Sequence, residues 1–190
     1  MTIFPALEIG VWNAWILMSV FLLQMLVIMS ADRRVRQKTH VPTSAPRKGL
    51  AKHIALVANL VWLLAMVYAV FLPLRPDLHL LAGGLILFAA GLLMLVTATA
   101  AFMGTPVDRP ITTGVYRFSR HPMYAATFLI CLGSGVATGS WTFLALTVLI
   151  FFCFRLEAQV EEQYCLEKYG EAYREYAGRT PRWLGFPGRT

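Results

Sequence analysis

The chain has 190 residues, of which 57% are hydrophobic and only 14% charged, with a mean hydropathy of +0.60. That is too apolar for an ordinary water-soluble domain, and it implies lipid as the solvent. The net charge of +7 does not indicate nucleic acid: no nucleic-acid module is visible, and the basic residues sit between apolar segments, where they suit anionic lipid headgroups.

In chain order, the first apolar run covers residues 10–29, about long enough at ~1.5 Å per residue to cross a ~30 Å hydrocarbon core. No Lys or Arg precedes it, and Asp32, Arg33 and Arg34 follow at once. A cleaved signal peptide has the reverse charge order, so a retained transmembrane helix is expected. A basic loop with two prolines fills 32–52. The second span is predicted at 53–72, ended by Pro73 and Pro76, and the third at 80–101. After a polar interruption come two shorter apolar runs, 124–138 and 141–154, separated by Gly139 and Ser140. Each falls below the ~20 residues of a full crossing. They read either as a re-entrant hairpin or as two tilted helices; the second is favoured, because Arg120-His121 and Arg155-Glu157 can sit at the interface. From Glu157 onward the chain is charged and predicts an amphipathic helix.

Seven Lys/Arg lie in 31–52, three in 102–123 and six from Arg155 onward, all on one side of a five-segment arrangement; the other side holds Arg75. This asymmetry puts the N-terminus outside and the C-terminus in the cytoplasm. The expectation is therefore an all-α integral membrane protein with about five transmembrane helices and a cytoplasmic C-terminal amphipathic helix. It forms a single membrane domain, with a three-span scaffold in 1–101 and the loop, hairpin and C-terminal helix in 102–190. A bacterial inner membrane and the endoplasmic reticulum both satisfy that topology, and the short chain favours the former. Gly83, Gly84, Gly91, Ala98, Ala100 and the small residues of 135–139 permit close helix approach, and Gln24 and Asn59 are expected as interhelical hydrogen-bond partners. Cys131, Cys153 and Cys165 lack metal-ligand spacing, and no metal or disulfide is expected.

Two polar blocks can carry chemistry. The first, 112–124, reads TTGVYRFSRHPMY. Pro122 suits the first position of a helix, whose free N–H groups, beside Arg120 and His121, suit a carboxylate or phosphate. Equally, Arg117 and Arg120 could simply anchor that helix at headgroups. In the second block, Glu157, Glu161, Tyr164 and Lys168 share one helical face, with Glu162, Tyr169, Tyr173 and Tyr176 on neighbouring ones. Carboxylates four residues apart repel mildly, which favours a nearby cation or hydroxylated ligand; the alternative is a solvated helix on the membrane surface. A ligand that combines these demands is S-adenosylmethionine, with a sulfonium for aromatic faces, ribose hydroxyls for a carboxylate, and a carboxylate of its own. No Gly-x-Gly-x-x-Gly follows a strand, which excludes a Rossmann methyltransferase.

Taken together, Gly114, Tyr116, Arg120-His121-Pro122-Met123-Tyr124, Glu161-Glu162, Gly170, Tyr173, Tyr176 and Pro181 resemble the integral-membrane family of isoprenylcysteine carboxyl methyltransferase, a group that also includes phospholipid N-methyltransferases. The resemblance covers roughly residues 108–182. It implies S-adenosylmethionine as cofactor, held by Ile111, Gly114, Tyr116, Arg120, His121, Pro122, Met123, Tyr124, Glu161 and Glu162, with the rest of 108–111 contributing. It also implies a bilayer-borne amphiphilic or lipid-like acceptor, methylated by direct displacement, with Arg155 and Glu157 facing that acceptor. The isoprenylcysteine enzymes carry an arginine one helical turn before the glutamate pair, where this chain has Glu157. An arginine grips a carboxylate and a glutamate repels it, so an amine or neutral acceptor is favoured, with Glu157 as orienter or base. The alternatives are an NADPH-dependent sterol reductase-like protein and a non-enzymatic membrane module of the same fold.

Overall fold

The computed structural model describes residues 7–31, 50–75 and 77–188. Most of the predicted basic loop lies outside them. Among the described residues six α-helices follow one another: α1 (Trp15–Ser30), α2 (Leu50–Val70), α3 (Leu78–Gly104), α4 (Pro122–Thr138), α5 (Trp141–Tyr169) and α6 (Glu171–Arg179), with a 3₁₀ turn, Gly114–Arg117, between α3 and α4. No β-strand forms among the described residues.

Local chemistry sets the helix ends. Asp77 caps α3 by accepting from the backbone N–H groups of His79 and Leu80, satisfying donors that a helix start leaves open. Pro122 opens α4 at a position where its missing N–H costs nothing. Gly139, with φ of +63°, ends α4: its N–H bonds Val136 and that of Ser140 bonds Gly135, the pattern of a Schellman motif. Arg75 donates from Nε to the Thr138 carbonyl at 3.3 Å, a cation at a helix C-terminus. The first helix starts later than expected, at Trp15, because Asn13 is used otherwise. Its Nδ2 donates to the carbonyls of Glu8 and Val70 at 2.6 and 2.8 Å, tying the entry of α1 to the exit of α2.

The bundle is built around α4, eleven of whose 17 residues are buried. It packs directly on α3 through glycine. A methyl group at Gly84 would meet the Gly133 carbonyl at 2.5 Å, and one at Gly91 would meet the Ala126 carbonyl at 2.9 Å; Gly83, by contrast, faces open space. Gln24 donates to Thr99 across α1 and α3 at 3.2 Å, as expected of a polar residue in an apolar helix, whereas Asn59 is exposed.

Two helices, α3 and α5, are by length and composition able to cross a membrane; α1, residues 56–70 of α2 and α4 are apolar but shorter. Large apolar side chains such as Ile86, Leu93 and Val96 point outward, an arrangement that suits a lipid surround. The charged block differs from expectation. No new helix begins at Glu157, because a change in polarity does not break a helix. α5 runs unbroken through the apolar and charged stretches to Tyr169 and stops at Gly170, whose φ is +57°. The separate C-terminal amphipathic helix is the nine-residue α6 alone.

Candidate functional site

The two polar blocks meet at one end of the bundle. Gly114, with φ of +61°, opens the 3₁₀ turn that buries Tyr116, and the Tyr176 hydroxyl donates to the Tyr116 carbonyl at 2.8 Å. The Tyr169 hydroxyl holds the Val107 carbonyl at 3.2 Å. Ser119, fully buried, accepts from the His121 N–H at 3.1 Å and donates to the Arg182 carbonyl at 3.3 Å. Backbone bonds from Arg120 N–H to Pro181 and from Gly185 N–H to Phe118, both 3.0 Å, bind the tail after α6 to the same loop.

His121 is the centre of this end. Its Nε2 lies 3.1 Å from Glu162 Oε1 and its Nδ1 3.4 Å from Glu161 Oε2. Burial disfavours the imidazolium, but the two carboxylates outweigh burial and raise its pKa above the ordinary value. Glu162 takes a two-pronged grip from Arg182, Nε at 2.9 Å and an Nη at 2.6 Å, and lies 3.5 Å from Arg120 Nε. Burial would raise its pKa; the hydrogen bonds from His121 and Arg182 and the charge of Arg120 prevail and hold it at about 2. Glu161 instead accepts from the Tyr124 hydroxyl at 2.5 Å. Tyr124 stacks on His121 and on Phe154. Burial pushes the hydroxyl pKa values of Tyr116, Tyr173 and Tyr176 upward, and that of the Cys165 thiol up to about 12.

Against these groups lies a cavity of about 350 Å³, within the size range of small-molecule sites. Of the residues expected to hold a cofactor, Ile111, Tyr116, Arg120, His121, Pro122, Met123, Tyr124 and Glu161 line it. Gly114 and Glu162 do not: Gly114 shapes the turn, and Glu162 is buried in the ion cluster behind the wall. Arg155 and Glu157 are also outside the lining. With ~3.6 residues per turn, Arg155 points about 120° away from Glu161, while Glu157 shares its face one turn nearer the apolar half of α5. The lining includes Tyr164, Cys165, Lys168, Tyr169, Tyr173 and Tyr176, together with Arg109 and Pro110 from the loop and Ile28 and Phe102 from α1 and α3. Ile28 and Phe102 carry no signal in the sequence, since they are apolar residues among apolar residues. From the tail, Arg182 reaches the ion cluster, and Trp183 rests on Phe151 and His121 at centroid distances of 5.0 and 6.1 Å.

Fold and site define a helical bundle of membrane character that builds a polar, tyrosine-rich cavity at one end of its apolar helices. Residues 79–172, just under half of the chain, match the family model described as phospholipid methyltransferase. The protein-S-isoprenylcysteine O-methyltransferase of Schizosaccharomyces pombe is 28% identical over 72 residues, 37% of this chain and 30% of that protein. The nickel-cobalt-cadmium resistance protein NccN of Alcaligenes xylosoxydans xylosoxydans is 32% identical over 74 residues, 39% of this chain and 35% of its own length. The chain thus matches about a third of the length of these curated relatives.

Proposed function

We propose that the protein is an S-adenosylmethionine-dependent methyltransferase acting on an amphiphilic, lipid-like acceptor at the cytoplasmic face of a membrane. The observation that carries the reading is the composition of the cavity wall. Glu161 is held there by Tyr124 and His121, among tyrosine rings and beside Arg120. Arg120 brings a guanidinium to the wall, its Nε 3.5 Å from Glu162 and without a hydrogen bond among the described residues. The chemistry such a cofactor supplies is an electrophilic methyl group on a cationic sulfur. Tyr116 and Tyr164 line the cavity with rings whose faces attract a cation. Glu161 offers a carboxylate to ribose hydroxyls, and Arg120 and His121 hold the anionic end. The wall orients the reactants, a contribution of ~7–11 kcal/mol in favourable cases, and keeps water from the reacting centre.

An amine or neutral acceptor is favoured over a carboxylate, because Glu157 lies on the same face of α5 as Glu161. The family match supports methyl transfer and lends nothing to the nicotinamide-dependent alternative. The test is calorimetric binding of S-adenosylhomocysteine to the detergent-purified protein, with NADPH in parallel. Micromolar binding is expected, weakened strongly by Glu161→Gln and left unchanged by Arg155→Ala and Glu157→Gln. Absence of binding by folded wild-type protein would overturn the reading.

A further inference from the structure

We propose that the strap from Arg182 to Phe186, together with Phe118, is a contact surface for the bilayer interface, where apolar acyl chains meet anionic headgroups. The matched family region stops at residue 172, so nothing above assigns this segment a role. After Arg179 the chain leaves α6 extended and turns back onto the bundle, fixed by the Arg120–Pro181 and Gly185–Phe118 backbone bonds. Its side chains then divide. Arg182 turns inward to Glu162 and Trp183 lies on Phe151, whereas Leu184 and Phe186 are 58% and 90% exposed. Phe118, bonded to the strap, adds a third outward apolar group at 45%.

Two observations identify the occupant. Phe151 belongs to the apolar half of α5, where Val148, Leu149 and Phe152 give an exposed apolar surface. A strap whose Trp rests on Phe151 continues that surface rather than projecting into water. Exposed arginines flank it, Arg117 beside Phe118 and Arg179, paired with Glu175, ahead of the strap. Apolar side chains bordered by Arg, with a Trp between them, match the physics of the headgroup boundary. Because Arg182 and the Arg120–Pro181 bond link the strap to the ion cluster behind the cavity, lipid contact also holds the cavity wall in place.

The proposal requires that the helices lie in a bilayer but does not depend on the reaction. The test uses the full chain, with Cys131, Cys153 and Cys165 replaced by Ala, reconstituted in phosphatidylcholine–phosphatidylglycerol bilayers. Nitroxide labels are placed in turn at Leu184→Cys and Phe186→Cys, with Leu93→Cys on the outward face of α3 and Arg174→Cys on α6 as references. An unchanged melting profile reports folding. The expected result is that collision with oxygen exceeds collision with a water-soluble nickel chelate at 184 and 186, as at 93 and opposite to 174. Nickel access at 184 and 186 equal to that at 174 would place the strap in water and overturn the proposal. Shielding from both reagents would mean that protein, such as a second copy of the chain, covers the strap, and would overturn it too. Nickel access at 93 would reject the bilayer setting itself, and the strap contact with it.

Discussion

Replacing Glu162 with Gln keeps the shape of the side chain but removes the charge that Arg120, His121 and Arg182 share. A carboxyl held at about 2 in the folded site, against an ordinary 4.5 in the opened chain, is stabilised at neutral pH by about 3 kcal/mol. The side chain is only 10% exposed, so screening by water is slight, although Arg182 at 32% is partly screened and makes this an upper value. Removing one member of such a cluster also leaves cations buried beside a neutral amide, which adds in the same direction. The loss falls on the docking of the strap and α6, whose opening is local. Amide hydrogen exchange across residues 176–186 should therefore accelerate by roughly a hundredfold in Glu162→Gln at pH 7.

The pH dependence gives a second check. The Glu162 pKa is depressed on folding, so its contribution is present above 4.5 and disappears as pH falls towards about 2. Variant and wild type, corrected for intrinsic exchange, should converge over that interval. The raised pKa of His121 works in the opposite sense: its contribution is complete below the ordinary 6.5 and is lost as pH rises through the higher folded value. The wild-type strap should hold best between these limits. Equal exchange in the two proteins at pH 7, or a difference unaffected by acid, would refute the electrostatic account.

Tyr124→Phe removes the hydroxyl that fixes Glu161 and should weaken S-adenosylhomocysteine binding by about 1 kcal/mol, roughly fivefold, measured by calorimetry; unchanged affinity would mean that Glu161 needs no such partner. Gly84→Leu should abolish the tight α3–α4 contact and yield little folded protein, whereas Gly83→Ala, facing open space, should purify and melt like wild type. Equal yields from the two would contradict the close helix approach.

The sequence conveyed the helices better than their boundaries. Pro73, Gly139 and the apolar runs marked the helices in order, but the end of α5 was misplaced, because the shift from Phe154 to Glu157 changes polarity without supplying a breaker; that comes only at Gly170. Several cavity residues were legible because Tyr116, His121, Tyr124 and Glu161 are costly to place beside apolar spans without a use. The division of labour between Glu161 and Glu162 was not. Neighbours on a helix differ by about 100° in direction, and only the fold shows which one meets the cavity and which one meets Arg182, twenty residues on.

That division predicts a long-range effect. Among the described residues, His121 contacts both glutamates, and Glu162 stands between it and Arg182. A change at the strap therefore has two routes to the cavity, through this imidazole and through Arg120, although neither Arg182 nor Glu162 lines it. Arg182→Ala should weaken S-adenosylhomocysteine binding in the wild-type background. It should do so less in His121→Ala, where one of the two links is already cut. The two substitutions should be non-additive by ~0.5–3 kcal/mol, the range for residues in one polar network. Strict additivity in calorimetry would show that Arg182 acts on the cavity by another route, and that Glu162 and His121 serve only to hold the tail.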